Sequence, residues 1–243
     1  MLVFASYREA DNLRNILRSL SKHLGSTTLV VVADDTGEDY RRQLEDFCHS
    51  AMADSMASVV FNYSDTKSGR GAAVRRAFEW AFNAYPDARY FMEMDSDGSH
   101  SAQDIVSLMR SQSQADLLIG SRYLTDSRIV GWPVQRRVFS KLLNLVIPAL
   151  LGVRAKDLTN GLRRYSRDSV EIILRHPPQN SGFIYLSEVA MLVTFNGLSI
   201  EEIPITFTDR DLGESTVTSS EIKASLQGIL SLISKRMGMV FDR

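Results

Sequence analysis

The chain has 243 residues, 44% hydrophobic and 23% charged, with 28 lysines and arginines against 29 aspartates and glutamates. These are the proportions of an ordinary folded domain, and a net charge of −1 with no lysine-arginine block excludes the footprint of a nucleic-acid binder. The single cysteine, Cys48, excludes an intramolecular disulfide, fits a reducing compartment and reads as a small apolar helix residue.

Short apolar runs alternate with helical patterns through the first half. Residues 2–5 read as a strand, and Leu13, Ile16, Leu17, Leu20 and Leu24 recur at helical spacing over 11–24. Residues 29–33 form a β-branched strand, 41–57 a helix, 58–63 a third strand and 71–85 another helix. A strand at 90–94, a helix at 103–112 and a strand at 116–120 follow. Strands separated by helices predict right-handed parallel crossovers and hence a doubly wound sheet. Beyond Gly120 come a long apolar segment at 132–152, helices at 169–174 and 187–195, and an alternating strand at 198–207. An amphipathic segment at 221–240 ends the chain. The run at 142–153 is about half the ~20 residues of a membrane span, and the passage from Met1 straight into a strand predicts no signal peptide.

Two strands end in acids. Asp34 and Asp35 close one, and Asp95 and Asp97 close another. Either pair alone would equally serve a turn or a helix cap. At the carboxyl edge of one parallel sheet they place charge where such sheets bind ligands. Two carboxylates one residue apart suit a hard divalent cation that takes further oxygens from water and a diphosphate. Gly69 and Gly71 open a helix after a strand, where backbone can approach a phosphate or where close packing demands them. Arg122 sits just beyond a strand, and Arg136 and Arg137 begin the long apolar segment. Arg163, Arg164 and Arg210 come later. The guanidinium fork suits phosphate, although most of these arginines are expected on solvated surface, Arg122 being better placed by its position beyond a strand end. No histidine has metal-ligand spacing, and His100 beside the acidic turn is expected to act at most through a neighbour.

With these motifs in view, the chain resembles family 2 glycosyltransferases of the GT-A fold. It is most similar to dolichyl-phosphate mannose synthases and related polyprenyl-phosphate glycosyltransferases. Ser6-Tyr7-Arg8-Glu9-Ala10-Asp11-Asn12-Leu13 resembles the family's Tyr-Asn-Glu-x-x-Asn-Leu, and Val32-Ala33-Asp34-Asp35-Thr36-Gly37-Glu38-Asp39 its Val-Asp-Asp-Gly-Ser-x-Asp. Gly69-Arg70-Gly71-Ala72-Ala73 matches Gly-x-Gly-x-Ala, and Asp95-Ser96-Asp97 the metal motif. Gly120-Ser121-Arg122-Tyr123, the stretch from Asp157 through Arg163 to Tyr165, and Ile203-Pro204 through Asp209-Arg210 to Gly213-Glu214-Ser215 are similar to later family motifs. Ala5 replaces a proline, Ser99 and Leu186 replace glutamines, and Thr216 replaces a lysine. These departures bear on the donor sugar and the phosphate contacts.

The resemblance implies a GT-A α/β fold: a Rossmann-like, doubly wound, mostly parallel sheet with helices on both faces and an amphipathic C-terminal extension. One domain, 1–243, would hold a nucleotide-sugar half (1–119), an acceptor half (120–220) and the terminal segment (221–243). The implied activity is inverting, metal-dependent transfer of a hexose to a polyprenyl phosphate, from GDP-mannose first and UDP-glucose second. Tyr7, Glu9, Asp34, Asp35, Gly69, Gly71 and Asp95 would bind the donor. Asp95, Asp97 and Ser99 would hold Mg2+ or Mn2+, while Arg122, Arg136, Ser140 and Arg210 would take the acceptor phosphate. Catalysis would rest on Asp97 and Arg122. The implied place is peripheral, on the cytoplasmic face of a membrane, and a small membrane subunit is an admissible partner. The rivals are transfer to a glycan hydroxyl with Glu188 as base, a nucleotidyltransferase, and an idle nucleotide-sugar-binding module.

Overall fold

The computed structural model describes residues 1–180, 182–209 and 227–237. Strands β1 (Leu2–Ser6), β2 (Leu29–Asp34), β3 (Ser58–Tyr63) and β4 (Tyr90–Asp95) alternate with helices α1 (Ala10–Leu20), α2 (Glu38–Met52) and α3 (Arg70–Ala84). Then come α4 (Ala102–Arg110), β5 (Leu117–Ser121), β6 (Arg128–Val130), α5 (Val134–Leu151), β7 (Arg163–Ser166), α6 (Arg167–Arg175) and α7 (Gly182–Phe195). Strands β8 (Ile200–Pro204) and β9 (Thr206–Thr208) follow, and residues 227–237 form a last helix, α8.

The main sheet has the order β3-β2-β1-β4-β7-β5-β8. Alternation along the strands decides which helices cover which face. Val3, Val31, Ala33, Phe91 and Tyr165 turn to one side and pack with α3, α6 and α7. Leu2, Phe4, Val30, Val32, Met92 and Met94 turn to the other and pack with α1, α2 and α4, where Cys48 is buried. From β3 the chain crosses through α3 to β4, on the far side of β1. The strand order therefore reverses between β1 and β4, and the carboxyl ends splay into a crevice at that point.

Three departures from the sequence reading have physical causes. The strand β7 is absent from that reading because Arg163, Arg164 and Ser166 look polar, yet it runs antiparallel between β4 and β5. Its two arginines are buried, not solvated. Arg163 donates to the carbonyls of Asn160 (2.9 Å), Leu158 (2.8 Å) and Leu186 (2.6 Å), and Arg164 caps the end of α4 at Ser111 O (2.8 Å) and Ser113 O (2.5 Å). Five fixed donors make a guanidinium a good partner for clustered carbonyls. The alternating run at 198–207 splits at Ile205 into β8, in the main sheet, and β9, which pairs with β6 in a separate ribbon. Helix α5 closes on Gly152 at φ 70°, a left-handed C-cap. The expected terminal segment lies within the described residues only over α8.

Candidate active site

Each loop at the crevice is tied to its neighbour. After β1, the Arg8 N–H donates to Thr36 Oγ1 (2.8 Å). Arg8 adopts φ 60°, a region that side-chain-bearing residues seldom occupy. After β2, Asp34 is fully buried and accepts from the N–H (2.9 Å) and hydroxyl (3.1 Å) of Thr36. Asp35 accepts from Ser68 N (2.8 Å), Ser68 Oγ (2.6 Å) and Arg76 Nη2 (2.9 Å), fastening the β2 loop to the glycine loop.

Tyr7, Glu9, Asp35, Gly69, Asp95 and Asp97 line one cavity of about 250 Å³ at the switch point. Lys67 and Arg70 line it too, with Lys67 Nζ 4.0 Å from the centre of the Tyr7 ring. Asp34 and Gly71 do not line this cavity. Asp34 orders the turn beneath it, and Gly71 serves packing, since a Cβ there would stand 2.7 Å from Tyr185 Cδ2.

Arg70, the residue between the two glycines, reaches three acceptors. Its Nε donates to Asp95 Oδ1 (2.6 Å), Nη1 to Glu93 Oε2 (2.6 Å) and Nη2 to Gly161 O (3.1 Å). Burial alone would raise the Asp95 pKa, but Arg70 and then His100 outweigh it and hold the carboxyl well below its usual range. Asp97 Oδ1 accepts from Ser99 N–H (3.0 Å). The Ser99 hydroxyl and both ring nitrogens of His100 are buried without hydrogen-bond partners, and His100 Nε2 stands 3.6 Å from Asp95 Oδ2. Among the described residues no cluster of three or more His, Cys, Asp or Glu forms a metal cage. Two cavity-lining carboxylates backed by an orphaned hydroxyl nevertheless fit a hard cation that completes its shell from water and substrate.

A second cluster adjoins the first. Arg122, at the end of β5, pairs with the fully buried Asp157 through Nε and Nη2, both at 2.7 Å, and Nη2 also reaches Thr159 Oγ1 (2.6 Å). Burial pushes the Asp157 carboxyl up, but Arg122 outweighs it and the net shift is downward. Arg136 lies 4.1 Å from the Trp132 ring centre and pairs with Asp209 (2.9 Å). Ser140, one turn on, accepts from the Tyr123 hydroxyl (2.7 Å). Phe207 joins the clusters, its ring 5.4 Å from His100 and 5.3 Å from the Arg122 guanidinium carbon. Arg210 lies outside the described residues.

Lys67, Arg70 and Asp157 had no role in the sequence reading. Arg70 and Asp157 stood inside quoted motifs, so their place in those motifs was the available signal. Glu188 is not positioned as a base. It is fully buried and accepts from Gln179 N (3.0 Å), Asn180 N (2.9 Å), Asn180 Nδ2 (2.7 Å) and Lys235 Nζ (2.7 Å).

Solved structures share this architecture across nearly the whole chain. A mannosyltransferase from Pyrobaculum calidifontis in complex with GDP-Man and Mn2+ superposes with TM-score 0.64 at 13% identity, over 97% of this chain and 63% of that one. Glucosyl-3-phosphoglycerate synthase from Mycobacterium tuberculosis, with Mn2+, UDP-glucose and glycerol 3-phosphate, does so with TM-score 0.61 at 17% identity, over 98% and 79%. The fold is that of a GT-A glycosyltransferase. The chain belongs to glycosyl transferase family 2, whose model matches residues 2–174. It is 32% identical over 246 aligned positions to a polyprenol monophosphomannose synthase of Mycolicibacterium smegmatis, covering 99% of this chain and 91% of that protein. It is 30% identical to an undecaprenyl-phosphate mannosyltransferase of Micrococcus luteus, covering 90% and 87%.

Proposed function

We propose that this glycosyltransferase moves mannose from GDP-mannose to a polyprenyl phosphate, inverting the sugar carbon and using Mg2+ or Mn2+, as a peripheral protein on a membrane surface. The observation that carries this reading is the adjacency of two differently charged sites. A carboxylate-lined cavity at the sheet switch point touches, through His100 and Phe207, an arginine cluster at the start of α5. The names of the two relatives support mannose as the sugar and a polyprenyl phosphate as the acceptor.

The nucleotide lies against Tyr7, Glu9 and Asp35, beside the glycine loop. Asp95 and Asp97 would hold the cation, with Ser99 behind them. When bound, it neutralises charge on the departing diphosphate. A phosphate monoester is already ionised near neutral pH, so its attack needs no strong base. This agrees with the sequestration of Glu188, which disfavours transfer to a glycan hydroxyl. Arg136 and Ser140, four apart on α5, and Arg210 take the acceptor phosphate. Arg122 reaches it through Nη1, because Nε and Nη2 are engaged by Asp157 and Thr159.

Beyond Arg136, helix α5 presents Val138 (61% exposed), Leu142 (55%) and Leu145 (71%) along one face, with Arg137 and Lys141 beside them. Helix α8 adds exposed Leu230 and Met237, held near the end of α5 by the hydrogen bond from Arg236 to the Leu150 carbonyl. An apolar face with flanking cations suits the membrane interface and the isoprenoid tail. Among the described residues no helix is long and apolar enough to cross a membrane.

Incubation with labelled GDP-mannose or UDP-glucose, a polyprenyl phosphate and Mn2+ tests the reading. The expected product is mannosyl-phosphoryl-polyprenol of inverted configuration, lost with a chelator. Transfer from UDP-glucose alone overturns the choice of donor, and absence of transfer to lipid phosphate from both donors overturns the reading.

A further inference from the structure

Glu93 is fully buried on β4, two residues before Asp95 and on the same face, and nothing in the transfer mechanism uses it. A carboxylate in that setting is costly unless paired. It has two partners: Arg70 Nη1 at 2.6 Å and the hydroxyl of Tyr165, from the neighbouring β7. The same guanidinium also binds Asp95 Oδ1 and Gly161 O. The fit around it is close. A Cβ on Gly161 would stand 2.6 Å from Arg70 Nη2 and 2.7 Å from Asp95 Oδ2.

From this geometry we infer that Glu93 is a positioning residue for the divalent-cation site, offsetting the charge of Arg70 so that Asp95 keeps its anionic pull on the cation. This rests on the metal-dependent reading above. Charge counting gives the reason. Arg70 alone would cancel Asp95 and leave Asp97 as the one uncompensated carboxylate of the pair proposed to hold the cation. With Glu93 behind it, Arg70 is already balanced and serves as a rigid strut that fixes the Asp95 carboxylate through Oδ1. Changing a group that orients a metal ligand from behind typically costs about 10–100-fold in metal affinity.

The test is Mn2+ affinity in the presence of GDP, read as free Mn2+ by electron paramagnetic resonance, with thermal unfolding measured alongside. Three proteins are compared: wild type, Glu93→Gln, and Glu93→Gln combined with Arg70→Gln. The isosteric single variant leaves Arg70 unbalanced, so affinity should fall about 10-fold or more, as for other outer-shell changes. The double variant removes both charges and should recover to within roughly threefold of wild type, because the net charge facing the cation is restored. A purely structural role predicts the reverse, with the double variant worst in both affinity and melting temperature. Unchanged Mn2+ affinity in folded Glu93→Gln overturns the assignment. Should that variant not fold, the double variant decides, since a loss of about 10-fold there contradicts the charge argument. Failure of wild type to bind Mn2+ with GDP would instead overturn the metal-dependent reading itself, and this inference with it.

Discussion

Arg122 and Asp157 meet as a two-pronged ion pair, Nε to Oδ2 and Nη2 to Oδ1 both at 2.7 Å, and the Arg122 N–H donates to the same carboxylate (2.9 Å). The pair fixes the end of β5 to the loop before β7. Asp157→Ala leaves a nearly buried guanidinium without its counter-charge, so stability should fall by about 3–5 kcal/mol. Urea unfolding at neutral pH measures this. A loss below about 1 kcal/mol would reduce the pair to the value of a surface contact.

Asp97→Ala removes one of the two carboxylates proposed to hold the cation and no core packing. Transfer should drop by about 100-fold or more, since the charge stabilisation a metal supplies is worth several kcal/mol. The melting temperature should stay close to that of wild type. Full activity in a folded Asp97→Ala protein would defeat the metal assignment.

Arg8 holds φ 60° where the family's opening motif carries asparagine. A left-handed conformation costs an ordinary side chain roughly 1–2 kcal/mol, and asparagine tolerates it better. Arg8→Asn should therefore raise stability by up to about 1 kcal/mol, readable by thermal or urea unfolding. A destabilised Arg8→Asn would show that the arginine makes compensating contacts.

Acid should unfold this protein from within. Burial pushes the Glu188 carboxyl up, but Lys235 and the Asn180 and Gln179 donors outweigh it, so its folded pKa is depressed. Asp157 is depressed through Arg122. A depressed folded pKa means that the unfolded chain binds more protons, so stability is complete above the ordinary carboxylate range near pH 4 and falls as pH drops below it. Urea midpoints from pH 7 to pH 3 should trace that loss, and Glu188→Gln should flatten the curve. An equally steep curve in that variant would remove Glu188 from the account.

Paired replacement of Leu142 and Leu145 by Glu alters only solvent-facing positions of α5. Binding to anionic vesicles should fall by about 10-fold or more, as two buried leucines are each worth roughly 1.5–3 kcal/mol. Transfer to a short, water-soluble prenyl phosphate should persist. Undiminished vesicle binding would place the membrane-facing surface elsewhere.

Much of the site was legible because its residues sit at abrupt changes of pattern. Asp35, Asp95 and Asp97 each end an apolar run, and the structure brings them to one cavity with Tyr7, Glu9 and Gly69. Gly71 and Asp34 looked like their neighbours in the chain but turn to packing and to a buried turn. A period-two strand rule states that adjacent residues face opposite ways, but not which way faces the ligand. The arginines were least legible. In one dimension Arg163 and Arg164 look like solvated arginines, whereas their burial depends on carbonyls 23 and 53 residues away, Leu186 O and Ser111 O.

By itself the sequence determined the alternation of strand and helix, the two covered faces of the sheet and the family, because periodicity and motif order are local properties. Tertiary structure alone decided that β7 inserts antiparallel between β4 and β5, that Glu188 is sequestered by Lys235, and that Glu93, Arg70 and Asp95 share one charge network. These depend on which distant donors and acceptors meet in a low-dielectric interior, and no local pattern along the chain encodes that pairing.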